Sequence, residues 1–279
     1  MGARAQHADA VYDLTDGSRV YSNKVDLRND SEMLQAMLDL EEEARFQKIV
    51  SEDGTTSLVK TEDGTVGWTC GNAKYFKTWS DWGDTKNDPI QGVFALTDEA
   101  GRLVGFNVII SQRNDPEPIG GKDKPTHIDA YNCHYQVIHP DTRGRGLHDK
   151  VIKSNLERFR QAHIKQAVCT VSPFNPASLA SIMKNGFEIR DVESHYGGNA
   201  RYVMVNPDTA RDPQSYPADK YETQWINDPR NLAAQTKLLR SGWVGVKMDR
   251  CVGPDKDAGE LARSGYRVLF AKKMVSDEE

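Results

Sequence analysis

The sequence lacks any apolar run long enough to cross a membrane. None of its segments approaches the roughly 20 consecutive apolar residues that a bilayer-spanning helix needs. The amino-terminal segment Met1 to Gln6 has neither the apolar region of a signal peptide nor the Ser or Thr of a myristoylation motif. We therefore expect a cytoplasmic protein without a membrane partner.

Cysteines are few, and basic residues are not clustered. The four cysteines form no C-x-x-C pair, so the sequence predicts neither a zinc site nor a disulfide framework, and we expect no metal cofactor. The net charge is −5 at pH 7 and no Lys/Arg run is long enough to follow a phosphate backbone, which argues against nucleic acid as a partner. What remains is a globular chain of 279 residues, 38% hydrophobic and 28% charged, with enough apolar side chains for one large core or two modest ones.

A strand, a glycine loop and a helix follow one another in the middle of the chain. The β-rich run Tyr131 to Ile138 ends at a proline turn and leads into Arg143-Gly144-Arg145-Gly146-Leu147-His148, after which apolar residues recur at helical spacing. Glycines let successive N–H groups converge, and a helix N-terminus adds unpaired N–H donors at the positive end of its dipole. This order predicts a phosphate-binding loop, to which Arg143 and Arg145 could add direct charge.

Two common phosphate loops do not fit. A Walker loop needs Lys followed by Ser or Thr after its last glycine, and this chain has Leu147-His148 there. A dinucleotide-binding fingerprint needs three glycines, and only two occur. The remaining alternative without a ligand is a glycine turn between core elements that binds nothing.

The loop resembles the acetyl-CoA signature of the Gcn5-related N-acetyltransferase (GNAT) superfamily. That signature is Arg or Gln, two residues, Gly, one residue, then Gly or Ala; Arg143 to Leu147 fit it and His148 departs from it. A second element of the family follows at the family's spacing: a strand over 168–171, then Asn175-Pro176-Ala177-Ser178-Leu179, a helix, and Gly186-Phe187. The resemblance covers about Val93 to Val205.

The resemblance implies an α/β (α+β) GNAT fold, with a mixed central sheet flanked by helices. It also implies acetyl-CoA, or another acyl-CoA, as co-substrate. In the family the central strand contributes backbone contacts to the CoA arm, and the asparagine opens the second helix beside that arm. The residues carried over as CoA contacts are Gln136, Val137, Ile138, Arg143, Gly144, Arg145, Gly146, Leu147, His148, Asn175 and Ser178.

The general acid of many relatives is absent. It is a tyrosine four residues before the Gly-Phe glycine, and this chain has Ile182 there. Candidates for acid or base work are therefore His134, Tyr135 and Cys133 on the central strand and Tyr196 beyond the second helix. Strand alternation places Tyr131, Cys133 and Tyr135 on one face and His134 on the other, unless a bulge exchanges the faces.

The acceptor side is less defined. A hairpin over 57–70 and the aromatic group Tyr75, Phe76, Trp79 and Trp82 lie between the first helix and the second family strand. Most of these aromatics are expected to fill a satellite core, with acceptor contact as the alternative for one or two of Trp68, Tyr75, Trp79 and Trp82. Loop carboxylates favour a cationic acceptor; they are Asp81, Asp84, Asp88, Asp115, Glu117 and Asp129.

The C-terminal part contains a weak internal repeat. Segment 172–187 matches segment 228–243 at a constant offset of 56, in its Pro, Asn and Ala positions, its Gly and the final aromatic. It indicates a degenerate β-α-β-β half-unit without a CoA loop, although two ordinary helices that share a cap and a glycine stop would look similar. We predict a GNAT acyltransferase domain over 1–205 and an extension over 206–279 packed on the same sheet, with its strands beside Arg201 to Val205.

Two functions fit these features. The first is an acyl-CoA-dependent N-acyltransferase that transfers acetyl to the primary amine of a small molecule by direct attack in a ternary complex, as a monomer or homodimer. The alternative is a catalytically degenerate GNAT-fold module that binds CoA as a sensor, favoured by Ile182 and His148.

Overall fold

Most of the regular secondary structure in the described residues is β-strand. The computed structural model describes residues 8–44, 46–50, 56–60, 76–78, 88, 90–115, 118–120, 127, 129–195, 198–209, 216–217, 219–227, 231–250 and 266–274. The chain divides into two compact units, Met1–Ile164 and Lys165–Glu279. The predicted domain boundary at 205/206 stays a prediction.

The first unit holds a five-stranded antiparallel arrangement in the order β1-β2-β5-β6-β7, and β3 and β4 pair separately. Two of the described helices pack on it. Its elements are β1 (Ala10–Asp13), β2 (Arg19–Val25), α1 (Ser31–Ala44), β3 (Phe46–Val50), β4 (Thr56–Lys60), β5 (Gly92–Asp98), β6 (Leu103–Ser111), β7 (Tyr131–Ile138) and α2 (Leu147–Gln161). The sequence around Asp98-Glu99-Ala100-Gly101 predicts a hairpin of segments 91–97 and 102–111, and β5 and β6 form it. The predicted helix after the glycine loop is also present.

Each helix covers an apolar surface of the first unit. The Asp30 carboxylate caps α1 by accepting the Met33 N–H (2.9 Å), as the Asn-Asp-Ser sequence predicts. One cluster packs α1 on the sheet through Leu34, Met37, Leu40, Phe76, Phe106, Tyr135 and Val137. A second cluster joins β1, β2 and α2 through Tyr12, Leu14, Val20, Leu96, Val104, Leu147 and Val151. Phe76 is thus a core residue, as predicted for most of the aromatic group.

Helix α1 is shorter than predicted. The cap sequence Asn29-Asp30-Ser31 and the apolar spacing after it predict a helix from about Glu32 to Ile49, but α1 ends at Ala44 and β3 begins at Phe46. The strand pairs with β4 from Phe46↔Lys60 to Val50↔Thr56, which satisfies backbone groups that a longer helix would have bonded internally. Short apolar segments fit either period, so the sequence pattern alone did not separate them.

A bulge interrupts β7 at His134. Val108 of β6 lies opposite Tyr135 and its neighbour Ile109 lies opposite Cys133, so His134 is the extra residue. The bulge reverses the side-chain alternation: Cys133 faces Asn155 of α2, whereas Tyr135 packs in the cluster with α1. The expectation of an unbroken alternation, with Cys133 and Tyr135 on one face, was therefore wrong, and the bulged alternative is present.

The second unit has six strands in the order β8-β10-β9-β12-β13-β11, all antiparallel where their pairings are given. Its elements are β8 (Ala167–Val171), α3 (Pro176–Lys184), β9 (Glu188–His195), β10 (Asn199–Asn206), β11 (Tyr221–Asn227), α4 (Leu232–Arg240), β12 (Val244–Arg250) and β13 (Tyr266–Lys273). β10 lies between β8 and β9, and β12 pairs with β9 at Gly245↔Ile189. The expectation that the extension would lie beside Arg201 to Val205 was thus wrong, because both edges of β10 are already paired.

The two helices of the second unit are alike. α3 and α4 each have nine residues, and their starts at 176 and 232 differ by the predicted offset of 56. Asn175 caps α3 by accepting the Ser178 N–H (3.1 Å), and Asn231 caps α4 by accepting the Ala234 N–H (3.3 Å). Gly186 and Gly242 follow the two helices with the same φ of 82°. None of the helices in the part of the chain that is described is long and apolar enough to span a membrane.

Candidate functional site

The glycine loop joins the end of β7 to the start of α2. A 3₁₀ turn over Pro140–Thr142 follows the strand, and Gly144 (φ 77°) and Gly146 (φ 80°) both have left-handed backbones. Such angles favour glycine, because a Cβ costs energy there. Gly146 is the N-cap of α2 and its carbonyl accepts the Lys150 N–H (3.1 Å).

Backbone donors gather at this point. The N–H groups of the first turn of a helix have no carbonyl partner within the helix, and Gly146 makes no side-chain cap bond to them. Among the described residues, a Cβ built on Gly144 would meet no atom within 4 Å, and one on Gly146 would lie 3.7 Å from Thr15 Cγ2. The loop therefore combines converging donors, the positive end of the α2 dipole and open space beside Gly144, which suits a phosphate group.

Arg143 is bound to backbone carbonyls. Its Nε donates to the Ile138 carbonyl (3.1 Å) and its Nη2 to the Ala44 carbonyl (2.8 Å). Ala44 is the last residue of α1, and carbonyls there have no helical N–H partner. The guanidinium thus caps the negative end of α1 and fixes it to the loop.

Arg145 is paired with a carboxylate of the β1–β2 turn. Its Nη1 lies 3.1 Å from Asp16 Oδ2, and its carbonyl accepts the Thr15 N–H (3.3 Å). Bonds from Ser18, with a smaller effect of the Arg145 charge, hold the pKa of Asp16 below its usual range. Both predicted loop arginines therefore have protein partners in this structure.

His139 was not singled out from the sequence, and it also ties the loop to α1. Its Nδ1 accepts the Asp141 N–H (3.1 Å) and its Nε2 lies 2.9 Å from Glu43 Oε2. Because Nδ1 is an acceptor, Nε2 carries the proton and donates a hydrogen bond to the Glu43 carboxylate. The available signal was a histidine directly before the proline that ends the strand.

His148 occupies the position where the family signature has a small residue. Its side chain is half-buried at the start of α2. Burial lowers the pKa of the His148 imidazole to about 4, against a smaller opposing effect of the Asp149 charge. The ring is neutral at pH 7 and keeps one N–H donor.

The three predicted backbone contacts of β7 differ in side-chain environment. Val137 packs in the core with α1, and Ile138 packs against the cluster that contains Leu147. Gln136 lies opposite Asn107 of β6, and its buried Nε2 has no hydrogen-bond partner among the described atoms. The roles of these residues toward CoA stay predictions.

The catalytic candidates separate by environment. Burial raises the pKa of the Cys133 thiol to about 12, and the Asn155 amide lies 4.0 Å from its sulfur. The Tyr135 ring is buried and lies 5.4 Å from the Phe106 ring, centroid to centroid. His134 is the bulge residue of β7, and its side chain lies outside what the structure describes, as does Tyr196.

A polar network lies at the opposite end of β7 from the glycine loop. The Tyr131 hydroxyl donates to Asp88 Oδ2 (2.5 Å), which also accepts from Gln91 Nε2 (2.6 Å). Burial, followed by these interactions with Asp88, raises the pKa of Tyr131. The buried Asp115 accepts from Asn132 Nδ2 (3.0 Å) and Gln112 Nε2 (3.2 Å).

Among the carboxylates predicted to favour a cationic acceptor, those that the structure describes therefore already bind protein side chains. Asp129 completes the group, because it pairs with Arg113. Asp81, Asp84 and Glu117 lie outside the described residues, as do the candidate acceptor contacts Trp68, Tyr75, Trp79 and Trp82.

In the second unit, the family-like asparagine serves as a helix cap. Asn175 Oδ1 and the Ser178 N–H form the cap bond, and both residues are half-buried. Ile182, at the position of the family's tyrosine, is buried in the apolar face of α3. The CoA contacts of Asn175 and Ser178 stay predictions.

The sequence matches no protein-family model and no curated protein. Among solved structures, it is similar to a GNAT-family acetyltransferase from Listeria monocytogenes (TM-score 0.45, 15% identity), covering 70% of this chain and 98% of that one. It is also similar to the ribosomal-protein-S18-alanine N-acetyltransferase of Escherichia coli (TM-score 0.41, 14% identity; 71% and 99% covered). Mutant forms of the spermidine/spermine N-acetyltransferase of Vibrio cholerae give a TM-score of 0.42 at 14% identity, with 67% and 92% covered.

Proposed function

We propose that this chain is an acyl-CoA-dependent N-acyltransferase of the GNAT superfamily, which transfers acetyl from acetyl-CoA to the primary amine of a small molecule. The observation that carries the proposal is the loop over 143–148, with two left-handed glycines leading into the uncapped start of α2. This backbone suits a diphosphate, as in CoA. Acetyl-CoA, or another acyl-CoA, is then the co-substrate, and no metal is required.

The reaction is a direct transfer in a ternary complex. The amine nitrogen forms a bond to the thioester carbon, the C–S bond breaks, the amine loses a proton and the departing thiolate gains one. A base must take the first proton and backbone N–H groups of β7 would stabilise the oxyanion. His134 is the proposed base, acting directly or through a water, and Tyr196 is the proposed acid.

Cys133 and Tyr135 are weaker proposals for this chemistry. A thiol with a pKa of about 12 holds its proton at neutral pH and gives it up less readily than a CoA thiol does. The ring of Tyr135 is part of the core that holds α1. Both side chains support the architecture of β7 more directly than they support proton transfer.

The acceptor and the setting are further parts of the proposal. We propose a cationic small-molecule amine, no nucleic-acid or membrane partner, a cytoplasmic location, and a monomer or homodimer. The net charge of −5 supports the cationic class of acceptor. If an acceptor that bears a carboxylate is turned over faster than amines of higher positive charge in an activity screen, the proposal of a cationic acceptor is wrong.

A CoA-binding module without turnover is the second candidate. The specific observation that favours it is Ile182, which is buried where many relatives have a tyrosine acid. Release of free thiol from acetyl-CoA in a screen of small amines separates the two functions. Binding of CoA without thiol release from any amine would favour the module.

Calorimetric titration with CoA tests the proposal itself. We expect the wild-type chain to bind CoA and a variant that combines Arg143→Ala with Gly146→Glu to lose this binding. The variant lacks the guanidinium that fixes the loop to α1 and carries a negative charge that repels the phosphates. A melting curve of the variant separates loss of the site from loss of the fold. Undiminished binding by a folded variant would reject the loop as the CoA site.

A further inference from the structure

We infer that Asp16, on the β1–β2 turn, tunes the affinity of the glycine loop for its phosphate ligand by competing for Arg145. In this inference Arg145 exchanges Asp16 for a ligand phosphate, whereas Arg143 stays in place as a brace. The inference rests on the proposed function, because it concerns the same loop. It assigns a role in setting ligand affinity to a residue far from the loop in sequence.

The β1–β2 turn lies against the glycine loop. The Thr15 N–H donates to the Arg145 carbonyl (3.3 Å), and the Asp16 carboxylate pairs with the Arg145 guanidinium (3.1 Å). Thr15 Cγ2 lies 3.7 Å from the position that a Cβ on Gly146 would take. The turn therefore contacts the loop through both its backbone and its side chains.

The turn is also internally fixed. The Leu14 N–H donates to the Ser18 carbonyl (2.8 Å), and the Gly17 N–H donates to the Leu14 carbonyl (3.1 Å). Asp16 Oδ1 accepts from the Ser18 N–H (3.1 Å) and from its hydroxyl (2.6 Å). Since Ser18 binds one carboxylate oxygen, the other is held in position for Arg145.

The pair between Asp16 and Arg145 is suited to exchange. The two side chains are 44% and 41% exposed, and ion pairs in contact with water contribute little to stability. A diphosphate brings more negative charge than one carboxylate, and its oxygens can accept hydrogen bonds from the same guanidinium. Arg145 can therefore leave Asp16 for a ligand phosphate with little loss of protein stability. The net gain in ligand affinity is smaller than it would be without Asp16, because the ion pair must first be broken.

Arg143 is held in a different way. Its guanidinium caps the Ala44 carbonyl at the end of α1 and also bonds the Ile138 carbonyl at the end of β7. Turning it to a ligand would leave the last turn of α1 without this cation. The two arginines of the loop thus have separate tasks, which their identical chemistry in the sequence does not indicate.

The test is calorimetric titration of the full chain with CoA, using Asp16→Asn, Arg145→Ala and the double variant. Asparagine keeps an oxygen for Ser18 and is favoured in turns, so the turn is preserved while the charge is removed. We expect Asp16→Asn to tighten CoA binding about two- to fivefold, the range of one surface ion pair. In the Arg145→Ala background the same change should have no effect.

A matched control exists on the same hairpin. Asp13 pairs with Arg19 at 3.1 Å, on exposed side chains, so Asp13→Asn makes the same change in net charge away from the loop. It should leave the CoA dissociation constant unchanged. Arg145→Ala should weaken binding and reduce its dependence on salt, because one fewer charge contact is screened.

Three results would overturn the inference. They are unchanged or weaker CoA binding by Asp16→Asn, the same gain in the Arg145→Ala background, and the same gain from Asp13→Asn. If the wild-type chain binds no CoA, the proposed function fails instead, so the two failures are distinguishable. A melting temperature for each variant shows that the fold is retained.

Discussion

Replacing Gly144 with alanine gives a direct test of the ligand role of the loop. Gly144 has a φ of +77°, and a Cβ there would contact no atom of the described residues within 4 Å. The change therefore adds backbone strain without a steric clash with the part of the chain that the structure describes. A non-glycine residue with a left-handed backbone costs about 1–2 kcal/mol.

Gly101 provides the matched control. It lies in the β5–β6 turn with a φ of +79°, and a Cβ there also meets no described atom within 4 Å. Gly101→Ala should therefore carry the same strain as Gly144→Ala. Each variant should lower the melting temperature by roughly 2–8 °C, since 1 kcal/mol corresponds to about 2–4 °C in a protein of this size class.

CoA affinity should separate the two variants. If a diphosphate lies against the loop, an added methyl group or a shifted peptide at Gly144 removes at least one charge-assisted N–H bond, worth about 1.5–3 kcal/mol. Calorimetry should then show CoA binding weakened about ten- to hundredfold in Gly144→Ala. Gly101→Ala should bind CoA as the wild type does, and equal affinities for the two variants would refute the placement of the ligand.

Three further outcomes are expected. Cys133→Ser should keep at least about half of the wild-type turnover, because a buried thiol with a pKa of about 12 stays protonated at neutral pH; a loss above tenfold with an unchanged melting curve would contradict this. Because the pKa of the His148 ring is lowered to about 4 in the folded protein, the ring stabilises the fold fully above pH 6.5, and this contribution is lost as the pH falls toward 4. His148→Gln should therefore make the unfolding free energy less dependent on pH in that window, by at most about 3 kcal/mol. A steeper dependence in the variant would show that the ring is charged in the folded protein. Tyr202→Phe should lower the free energy of unfolding by about 1–3 kcal/mol in a denaturant titration, because the Tyr202 hydroxyl donates to Gln235 Oε1 (2.6 Å) in a fully buried contact. A change below about 0.5 kcal/mol, the usual range for surface sites, would show that this hydrogen bond does not hold α4 to β10.

The sequence was informative where the structure is local. The strand that ends at Ile138, the glycines and the helix that begins at Leu147 are set by neighbours in the chain, and all were predictable. The caps of α3 and α4 by Asn175 and Asn231 are local in the same way.

The partners of the loop arginines were not predictable. Arg143 bonds a carbonyl 99 positions away, and the partner of Arg145 is Asp16 near the other end of the unit. Both arginines fit a phosphate-binding pattern equally well, and only tertiary contacts distinguish them. The end of α1 was not predictable for the same reason, because the guanidinium that caps the Ala44 carbonyl comes from the distant glycine loop.

The bulge in β7 shows how one inserted residue changes the candidate chemistry. A regular strand would place Cys133 and Tyr135 on the same face, but the bulge at His134 turns them to opposite faces. Cys133 then meets α2 and Tyr135 meets the core with α1. Composition and alternation cannot locate such a residue, so the order of catalytic candidates had to come from the structure.

The junction between β9 and β12 gives a physical reason for one difference between the two halves of the second unit. Ile189 and Gly245 are separated by the same offset of 56 as the starts of α3 and α4, and they pair with each other. Two equivalent strands that meet in an antiparallel pair bring equivalent positions face to face. A Cβ on Gly245 would lie 2.9 Å from both Cβ and Cδ1 of Ile189, so only one of the two positions can carry a large side chain. The strand order from β8 to β9 and from β11 to β12 follows the same pattern on both sides of this pair. The repeat in sequence therefore fits a unit in which the second half covers the open edge of the first, and the glycine is the substitution that lets the edges meet.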